Sequence, residues 1–196
     1  MNLLAHLHVG DRLSPVASAA NLVADICREA GSPEYTKGIN VHKKIDAFTD
    51  SHPIVLEARR LFPGELRRFS SVILDLVFDY CLSQSWDQWD STTTRGDFIE
   101  SRLNDMQQCT DQIPLQASQT IHRIQQGRLL HQYSELRGVE MSMRHIVRRR
   151  PKFAPMLNAM DILGSRQPLI DETFQRFYPE LLEYVQQNAL PAQDYR

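Results

Sequence analysis

The chain has 196 residues, of which 42% are hydrophobic and 23% charged, as in an ordinary folded protein and unlike a disordered one. Its formal net charge is -2, which excludes a bulk positive field that would recruit nucleic acid or a membrane surface. We therefore expect a single domain over residues 1–196, with any polyanion site confined to a local patch.

The cysteines and the first residues bear on the cellular compartment. Cys27, Cys81 and Cys109 lack the CxxC spacing of a metal or redox motif, and Cys27 and Cys81 lie in apolar, helix-like segments, so we expect buried thiols. The start "MNLLAHLH" has no basic region of the kind that opens a secretion signal, and no apolar run approaches the roughly 20 residues of a membrane helix. We expect a soluble, cytoplasmic protein.

Helical periodicity dominates the chain, and no alternating strand pattern is bounded by turn signals, so the sequence predicts an all-α fold, a helical bundle. Proline and glycine mark the ends of the helices. The predicted helices cover residues 15–30, 33–49, 69–82, 98–109, 115–136 and 169–187, with a short helix after residue 53 and another that residue 151 ends.

Two polar pairs come early in the chain, each with a spacing of four residues on an apolar background. Asn2 and His6 lie among leucine and alanine, and Asn21 and Asp25 lie in "NLVADIC". Residues four apart share one face of a helix. Asn21 and Asp25 therefore face the same way, and Asn21 is suited to orienting a metal ligand or a substrate oxygen.

The segment "GINVHKKIDAFTDSHP" places His42, Asp46 and Asp50 four residues apart on one side of the second predicted helix. Carboxylates at this spacing repel each other, so a cation is expected nearby. Lys43 is one candidate, and a divalent metal ion is another that would also use the imidazole. The alternative is a solvated face neutralised by Lys43 and Lys44.

The most apolar predicted helix contains two carboxylates, Asp75 and Asp79, in "VILDLVFDYCL". An unpaired buried carboxylate costs several kcal/mol, and no Arg or Lys lies nearby in the sequence to pair with either. Four segments thus each offer a polar pair on an apolar background, which favours one shared site. Histidine and aspartate without a thiolate pair favour Mn²⁺, Mg²⁺ or Fe²⁺ over a structural zinc ion, and such a site suits hydrolysis.

A basic run, "RHIVRRRPK", gathers much of the positive charge of a nearly neutral chain. One interpretation is a helix C-terminus whose arginines complement the helix dipole. The other is a local patch, Arg148, Arg149 and Arg150, that binds an acidic protein or a phosphate.

Taken together and in order, "MNLLAHLH", "NLVADIC", "GINVHKKIDAFTDSHP", "LDLVFDYCLS", "RRRPKF" and "FQRFYPEL" resemble the acyl carrier protein phosphodiesterases. The resemblance runs from the first residue to about residue 190. It implies a divergent His-Asp (HD) metal phosphohydrolase domain that uses Mn²⁺, with Mg²⁺ or Fe²⁺ as alternatives. The implied reaction releases 4′-phosphopantetheine from the serine of holo acyl carrier protein, a role in lipid metabolism.

The resemblance also assigns roles to residues. Asp25, in the "NLVAD" motif, is the position it most strongly implies to be essential, and the Arg148–Arg150 patch would dock the carrier protein, whose surface is acidic in that family. Lys43 would contact a phosphate oxygen, and Asp50 or Asp75 would orient a ligand or accept a proton from water. The implied metal ligands are His6, Asp25, His42, Asp46 and Asp79.

Two other functions stay open at this point. The first is a metal phosphohydrolase that acts on a nucleotide or another small phosphoester, which would share the metal site and need no carrier-protein patch. The second is a helical module that binds the carrier protein without catalysis, in which the polar pairs are core networks. The sequence leaves the number of ions and the oligomeric state open.

Overall fold

A computed structural model describes residues 1–27 and 29–189 of the chain. Every regular element in these residues is a helix, which confirms the all-α prediction. Short 3-10 segments cover Arg59–Leu61, Gly64–Phe69, His131–Ser134 and Pro151–Ala159. The α-helices are α1 (Leu3–Val9), α2 (Pro15–Val23), α3 (Pro33–Ser51), α4 (Pro53–Ala58), α5 (Ser70–Gln84), α6 (Trp86–Trp89), α7 (Arg95–Gln107), α8 (Leu115–Gln126), α9 (Leu136–Arg149), α10 (Met160–Ser165) and α11 (Gln167–Asn188).

Side-chain caps start three of the longer helices. The hydroxyl oxygen of Ser14 accepts a hydrogen bond from the backbone N–H of Ala17, and that of Ser32 accepts one from Tyr35. Thr94 caps α7 in the same way. Each cap satisfies one of the N–H groups that the first turn of a helix leaves free, and a proline follows the first two serines, where its fixed φ suits a helix start.

The predicted helix over residues 15–30 was wrong in its second half. α2 ends at Val23, and the backbone N–H groups of Ile26 and Cys27 both donate to the Val23 carbonyl in a turn. Arg28, inside the predicted range, lies outside the described residues. The turn carries Asp25 to His42, in the middle of α3, and not along the axis of α2.

The predicted helix over residues 115–136 was also wrong in length. α8 ends at Gln126, Gly127 follows as its C-cap, and Arg128 takes a left-handed conformation with φ of 48°. The N–H of Leu129 then donates to the Ile124 carbonyl, which closes the helix end. Glycine at this position lowers the cost of leaving the helix.

The centre of the fold is α5, as its apolar character predicts. Ile73, Leu74, Val77 and Phe78 are fully buried or nearly so, and α5 packs against α1, α9 and α11. α2 packs against both α1 and α3. The helices that carry the predicted polar pairs therefore lie against one another.

The described cysteines and helices also bear on the expectations about compartment. Cys27 and Cys81 are buried free thiols, as predicted, and Cys109 is half-buried. No helix in residues 1–27 and 29–189 combines the length and apolar character needed to cross a membrane. The single domain over residues 1–196 stays a prediction, and its last seven residues, 190–196, lie outside the described range.

Candidate functional site

Two helices bring two histidines and one aspartate into a cluster. His6 comes from α1, and His42 and Asp46 come from successive turns of α3. His6 Nε2 lies 3.1 Å from Asp46 Oδ1, and His42 Nε2 lies 3.0 Å from Asp46 Oδ2. One ligand atom of each residue lies within 4.8 Å of the others. The predicted convergence of His6, His42 and Asp46 is therefore confirmed in geometry.

Asn21, on α2, orients both imidazole rings. Its side-chain oxygen lies 3.2 Å from His6 Nδ1, and its backbone oxygen lies 2.8 Å from His42 Nδ1. A carbonyl oxygen only accepts, so both Nδ1 atoms carry the proton and both Nε2 atoms are free for the cluster. The rings stack with centroids 4.1 Å apart and planes at 18°. This second layer of support is typical of metal-binding histidines.

Asn21 itself is fully buried, and its amide nitrogen donates to the His6 carbonyl at 2.7 Å. Its polar groups are thus occupied inside the protein. The position supports the expectation that Asn21 orients a ligand. The expectation that it binds substrate stays a prediction, and the buried position gives it no support.

Asp25 lies at the rim of the cluster. Its Oδ1 is 3.4 Å from His42 Nε2, and its side chain is 80% exposed. The neighbouring His42 imidazole lowers the pKa of Asp25, so the carboxylate is ionised at neutral pH. The turn after α2 therefore adds a solvent-facing carboxylate to a largely buried cluster.

The charges within the cluster are coupled. Burial alone would lower the pKa of His42, but the nearby carboxylates of Asp25 and Asp46 raise it to about 9. Burial would likewise raise the pKa of Asp46, yet His42 and His6 lower it far below its ordinary value. Burial lowers the pKa of His6. Without an ion, the cluster holds one imidazolium, one neutral imidazole and one carboxylate.

His42 Nε2 is the atom that most clearly suggests a missing partner. It is buried, and neither nearby carboxylate contact has the geometry of a hydrogen bond, so within the described residues it has no hydrogen-bond partner. Buried polar atoms without a partner are rare in native proteins. Two imidazole nitrogens and carboxylate oxygens form a donor set that suits a hard or borderline divalent ion. The residues present thus fit a metal ion.

Asp75 lies beside the cluster. Its Oδ1 accepts a hydrogen bond from the α-ammonium group of Met1 at 2.9 Å, and that nitrogen lies 3.6 Å from Asp46 Oδ1. Burial would lower the pKa of this amino group, but Asp75 and Asp46 raise it to about 10. Asp75 is thereby linked to the cluster through Met1.

Asp79 is not brought into the cluster. Its two oxygens accept hydrogen bonds from the backbone N–H groups of Leu4 at 2.8 Å and Ala5 at 3.0 Å, and its side chain is fully buried. Burial raises the pKa of Asp79 to about 7. The structure gives Asp79 the position of an anchor for the first turn of α1, which carries His6. Its assignment as a metal ligand stays a prediction that its position does not favour.

Asp50 and Lys43, predicted on the same helix, point away from the cluster's donor atoms. Asp50 is exposed and forms a salt bridge with Arg59 at 2.8 Å. Lys43 is exposed on α3 next to His42. Of the aspartates in the line of His42, only Asp46 is therefore brought to the cluster, and the contact of Lys43 with a phosphate stays a prediction.

Sequence reasoning missed two groups near the cluster. Tyr133 is buried, and its hydroxyl oxygen accepts hydrogen bonds from the Asn2 amide and the Ser142 hydroxyl, the latter at 3.2 Å. The α-amino group of Met1 is the other. Tyr133 stands in a sequence without polar periodicity, so no local pattern marks it.

The predicted basic patch, Arg148, Arg149 and Arg150, lies exposed at the C-terminal end of α9. None of the three forms a salt bridge with a carboxylate in the part of the chain that the structure describes. α9 packs against α5. The patch therefore belongs to a helix that also supports the centre of the fold.

Comparisons with known proteins agree with this geometry. The family model described as "Acyl carrier protein phosphodiesterase" matches residues 1–181. A protein of that name from Yersinia enterocolitica is 32% identical over 97% of this chain and 100% of its own length. Those from Yersinia pestis and Photorhabdus laumondii are each 29% identical, over 97% and 93% of this chain and 100% and 94% of their own lengths. No solved structure matches the chain.

Proposed function

The chain belongs to the acyl carrier protein phosphodiesterase family, and from this premise we propose that it hydrolyses holo acyl carrier protein. Its relatives bear the name of this activity. The observation that supports the proposal most directly is the cluster of His6, His42 and Asp46 around a buried imidazole nitrogen without a hydrogen-bond partner. Such a set of groups would hold an ion that activates water for the hydrolysis of a phosphodiester.

In the proposed reaction, the oxygen of a water molecule bonds to phosphorus and the bond between phosphorus and the carrier serine oxygen breaks. The proton from water ends on the serine oxygen. The products are apo acyl carrier protein and 4′-phosphopantetheine. The atoms balance without a further co-reactant.

His6, His42 and Asp46 would hold a divalent ion, with Asp25 at its solvent side. We propose Mn²⁺, with Mg²⁺ or Fe²⁺ as alternatives, because imidazole and carboxylate together suit these ions. When bound, such an ion supplies polarisation of phosphoryl oxygens and activation of water. The HD-type classification of this domain stays a prediction.

The chain's own residues prepare the site. Asn21 keeps both histidines in the tautomer that leaves Nε2 free. Asp25, ionised and exposed, can accept a proton from water, and Asp75 is a second candidate for that role. Asp50 is a weaker candidate, because Arg59 holds its carboxylate away from the cluster.

The two other functions are less well supported. A nucleotide phosphohydrolase would use the same cluster, but it would not need the exposed run of Arg148, Arg149 and Arg150 at the end of α9. A binding module without catalysis would leave the buried His42 Nε2 without a purpose, since polar core networks normally satisfy their members.

The test is incubation of metal-stripped protein with holo acyl carrier protein, with and without Mn²⁺, followed by mass spectrometry of the carrier protein. We expect loss of the phosphopantetheine mass only when the ion is present. Retention of that mass with every divalent ion would refute the proposed reaction. Cleavage that continues without any ion would refute the metal requirement alone.

Replacing Asp25 with alanine is expected to reduce hydrolysis by about 10³-fold or more, as for other groups that take part in proton transfer or ion binding. Binding of holo carrier protein should persist. Asp50→Ala is the matched control, because it also removes an exposed carboxylate from this face of the chain but one that pairs with Arg59. Equal activity of the Asp25 and Asp50 variants would remove Asp25 from the site.

A further inference from the structure

A groove of about 500 Å³ lies between α9 and the 3-10 segment Pro151–Ala159. It is apart from the cluster residues described above, none of which lines it. Its walls combine apolar and cationic side chains. The lining residues are Met141, Arg144, Val147, Arg148 and Leu157.

The register of α9 explains how the groove combines these two kinds of side chain. Arg144 and Arg148 are four residues apart, so they lie one turn apart on one face of the helix. Met141 and Val147 flank them at spacings of three, and Leu157 faces them from the 3-10 segment. Met141 is 47% exposed, so it offers apolar surface at the edge of the groove.

The charge around the groove is concentrated. Residues 136–159 contain six basic side chains and one acidic side chain, Glu140, on a chain whose net charge is -2. Arg144 pairs with Glu140 at 2.6 Å, whereas Arg148 forms no salt bridge within the described residues. Burial, Arg149 and Arg148 lower the pKa of the neighbouring His145. The groove therefore has a positive rim and an apolar floor.

We propose that this groove binds an acidic, amphipathic helix of the carrier protein, with one apolar side chain of that helix inserted beside Met141, Val147 and Leu157. The proposal rests on the proposed function, because the occupant is its substrate. A carboxylate on such a helix would pair with Arg148, which forms no salt bridge within the described residues, whereas Arg144 is already paired with Glu140. An amphipathic helix in an apolar groove is a common mode of recognition.

The groove is physically connected to the cluster. Ser142, beside Met141 on α9, donates a hydrogen bond to the Tyr133 hydroxyl oxygen. The same oxygen accepts from the amide of Asn2, which precedes α1 and its His6. A protein bound along α9 would thus contact the helix that supports the start of α1.

The proposed groove is a more specific binding site than a general basic patch. Arg148 lines the groove, whereas Arg149 and Arg150, the next two residues, do not. A nonspecific field would make the three arginines nearly equivalent. A built groove makes Arg148 and the uncharged Met141 more important than Arg149.

The test is direct binding of fluorescently labelled holo acyl carrier protein, measured by anisotropy, to wild-type protein and three variants. Arg148→Glu is expected to raise Kd about tenfold or more. Arg149→Glu, which makes the same charge change one residue away, should raise Kd less than threefold. Met141→Gln should raise Kd about three- to tenfold without changing its dependence on salt, because it removes apolar contact and no charge.

Equal effects of Arg148→Glu and Arg149→Glu, together with wild-type binding by Met141→Gln, would overturn the groove in favour of a nonspecific field. Absence of binding by the wild-type protein would overturn it as well. Tight, groove-dependent binding without any cleavage would support the groove and refute the proposed reaction. Normal cleavage together with unaltered binding by all variants would refute the groove and support the proposed reaction. Circular dichroism melts check that the variants, all at exposed positions, remain folded.

Discussion

Asn21 shows how much one residue decides at this site. Its side-chain and backbone oxygens fix the Nδ1 protons of His6 and His42 at the same time. The spacing of His42 and Asp46 was readable from the sequence, because it depends only on helical periodicity. For Asn21, the sequence indicated only that it orients either a metal ligand or a substrate oxygen. The direction of its side chain depends on how α2 packs against α1 and α3.

The partners of Asp75 and Asp79 were not predictable for a related reason. Sequence reasoning considered Arg and Lys as partners, and none is near. The structure supplies the α-ammonium group of Met1 for Asp75 and two backbone N–H groups for Asp79. Main-chain donors are present at almost every residue, so no sequence pattern marks the ones that a buried carboxylate uses.

Asp79→Ala is predicted to destabilise the protein by about 2–4 kcal/mol, because it leaves two buried N–H groups of α1 without acceptors. Urea denaturation of the metal-free protein measures this free energy of unfolding. Asp87→Ala is the control, since Asp87 is exposed and its carboxylate forms no salt bridge within the described residues. An Asp79 variant that unfolds like the wild type but loses ion affinity would support the ligand role instead.

Ion binding is predicted to strengthen with pH. The pKa of His42, raised to about 9, means that its imidazolium stabilises the metal-free fold below about pH 6.5, and that this contribution is lost as pH rises through 9. An ion must displace the same proton, so the apparent affinity for Mn²⁺ should rise about tenfold per pH unit from pH 7 towards 9.

Isothermal titration calorimetry at pH 6.5, 7.5 and 8.5 measures the affinity. Repetition in two buffers of different ionisation enthalpy counts the protons released. An affinity that does not change with pH, with no proton release, would show that His42 does not give up a proton to the ion.

At the scale of elements, the contact between α2 and α3 sets the spacing of the cluster. A Cβ added at Gly38 would lie 1.9 Å from the backbone oxygen of Ala17, so only glycine allows this close approach. Ala17 and Gly38 each lie one turn before Asn21 and His42, whose hydrogen bond therefore belongs to the same interface. The sequence predicted both helices, but no pattern identified Gly38 as the point of contact.

Gly38→Ala is predicted to destabilise the protein by about 3 kcal/mol or more through overpacking, which corresponds to a fall in Tm of roughly 6–12 °C. It should also reduce ion affinity, because the helices that carry Asn21 and His42 must separate. Gly164→Ala is the matched control, since a Cβ there meets no atom within 4 Å, and we expect it to be neutral or slightly stabilising. Thermal melts of both variants measure the difference in Tm. Equal Tm values would contradict the tight contact between α2 and α3 at Gly38.

The errors in helix length have a common physical origin. α2 and α8 end where turns make better use of tertiary contacts than another helical turn would, although their sequences continue the apolar periodicity. The break after α8 had a local signal in Gly127, whereas the end of α2 at Val23 had none. That unpredicted end places Asp25 beside His42, so the largest error in the predicted elements falls at the candidate site.

At the scale of the whole molecule, the charge is divided between faces. The basic side chains of residues 136–159 are collected on α9 and the following segment, while the chain as a whole carries a charge of -2. The cluster draws its donors from the first quarter of the sequence, and the groove draws its lining residues from the last third. In the proposed function, substrate binding and chemistry would therefore be carried by different parts of the chain.

Turnover of the carrier protein is predicted to depend strongly on salt. Raising NaCl from 50 to 500 mM should lower kcat/KM for holo carrier protein about fivefold or more, because screening weakens the attraction to the basic face. Hydrolysis of a small phosphodiester, bis(4-nitrophenyl) phosphate, should change less than twofold. Steady-state kinetics with both substrates measure this, and equal salt dependence would locate the effect at the cluster and not at α9.

The position of the cluster in the sequence has a consequence for synthesis of the protein. Its donors end at Asp46, whereas Leu157, the last residue of the groove, is added to the chain more than a hundred residues later. At translation rates of about 5–20 residues per second, this interval lasts roughly 5–20 s. In the proposed function, a nascent chain would contain every side chain that holds the ion before it contains the groove that binds the substrate, so ribosome-bound fragments would not act on the cell's carrier protein.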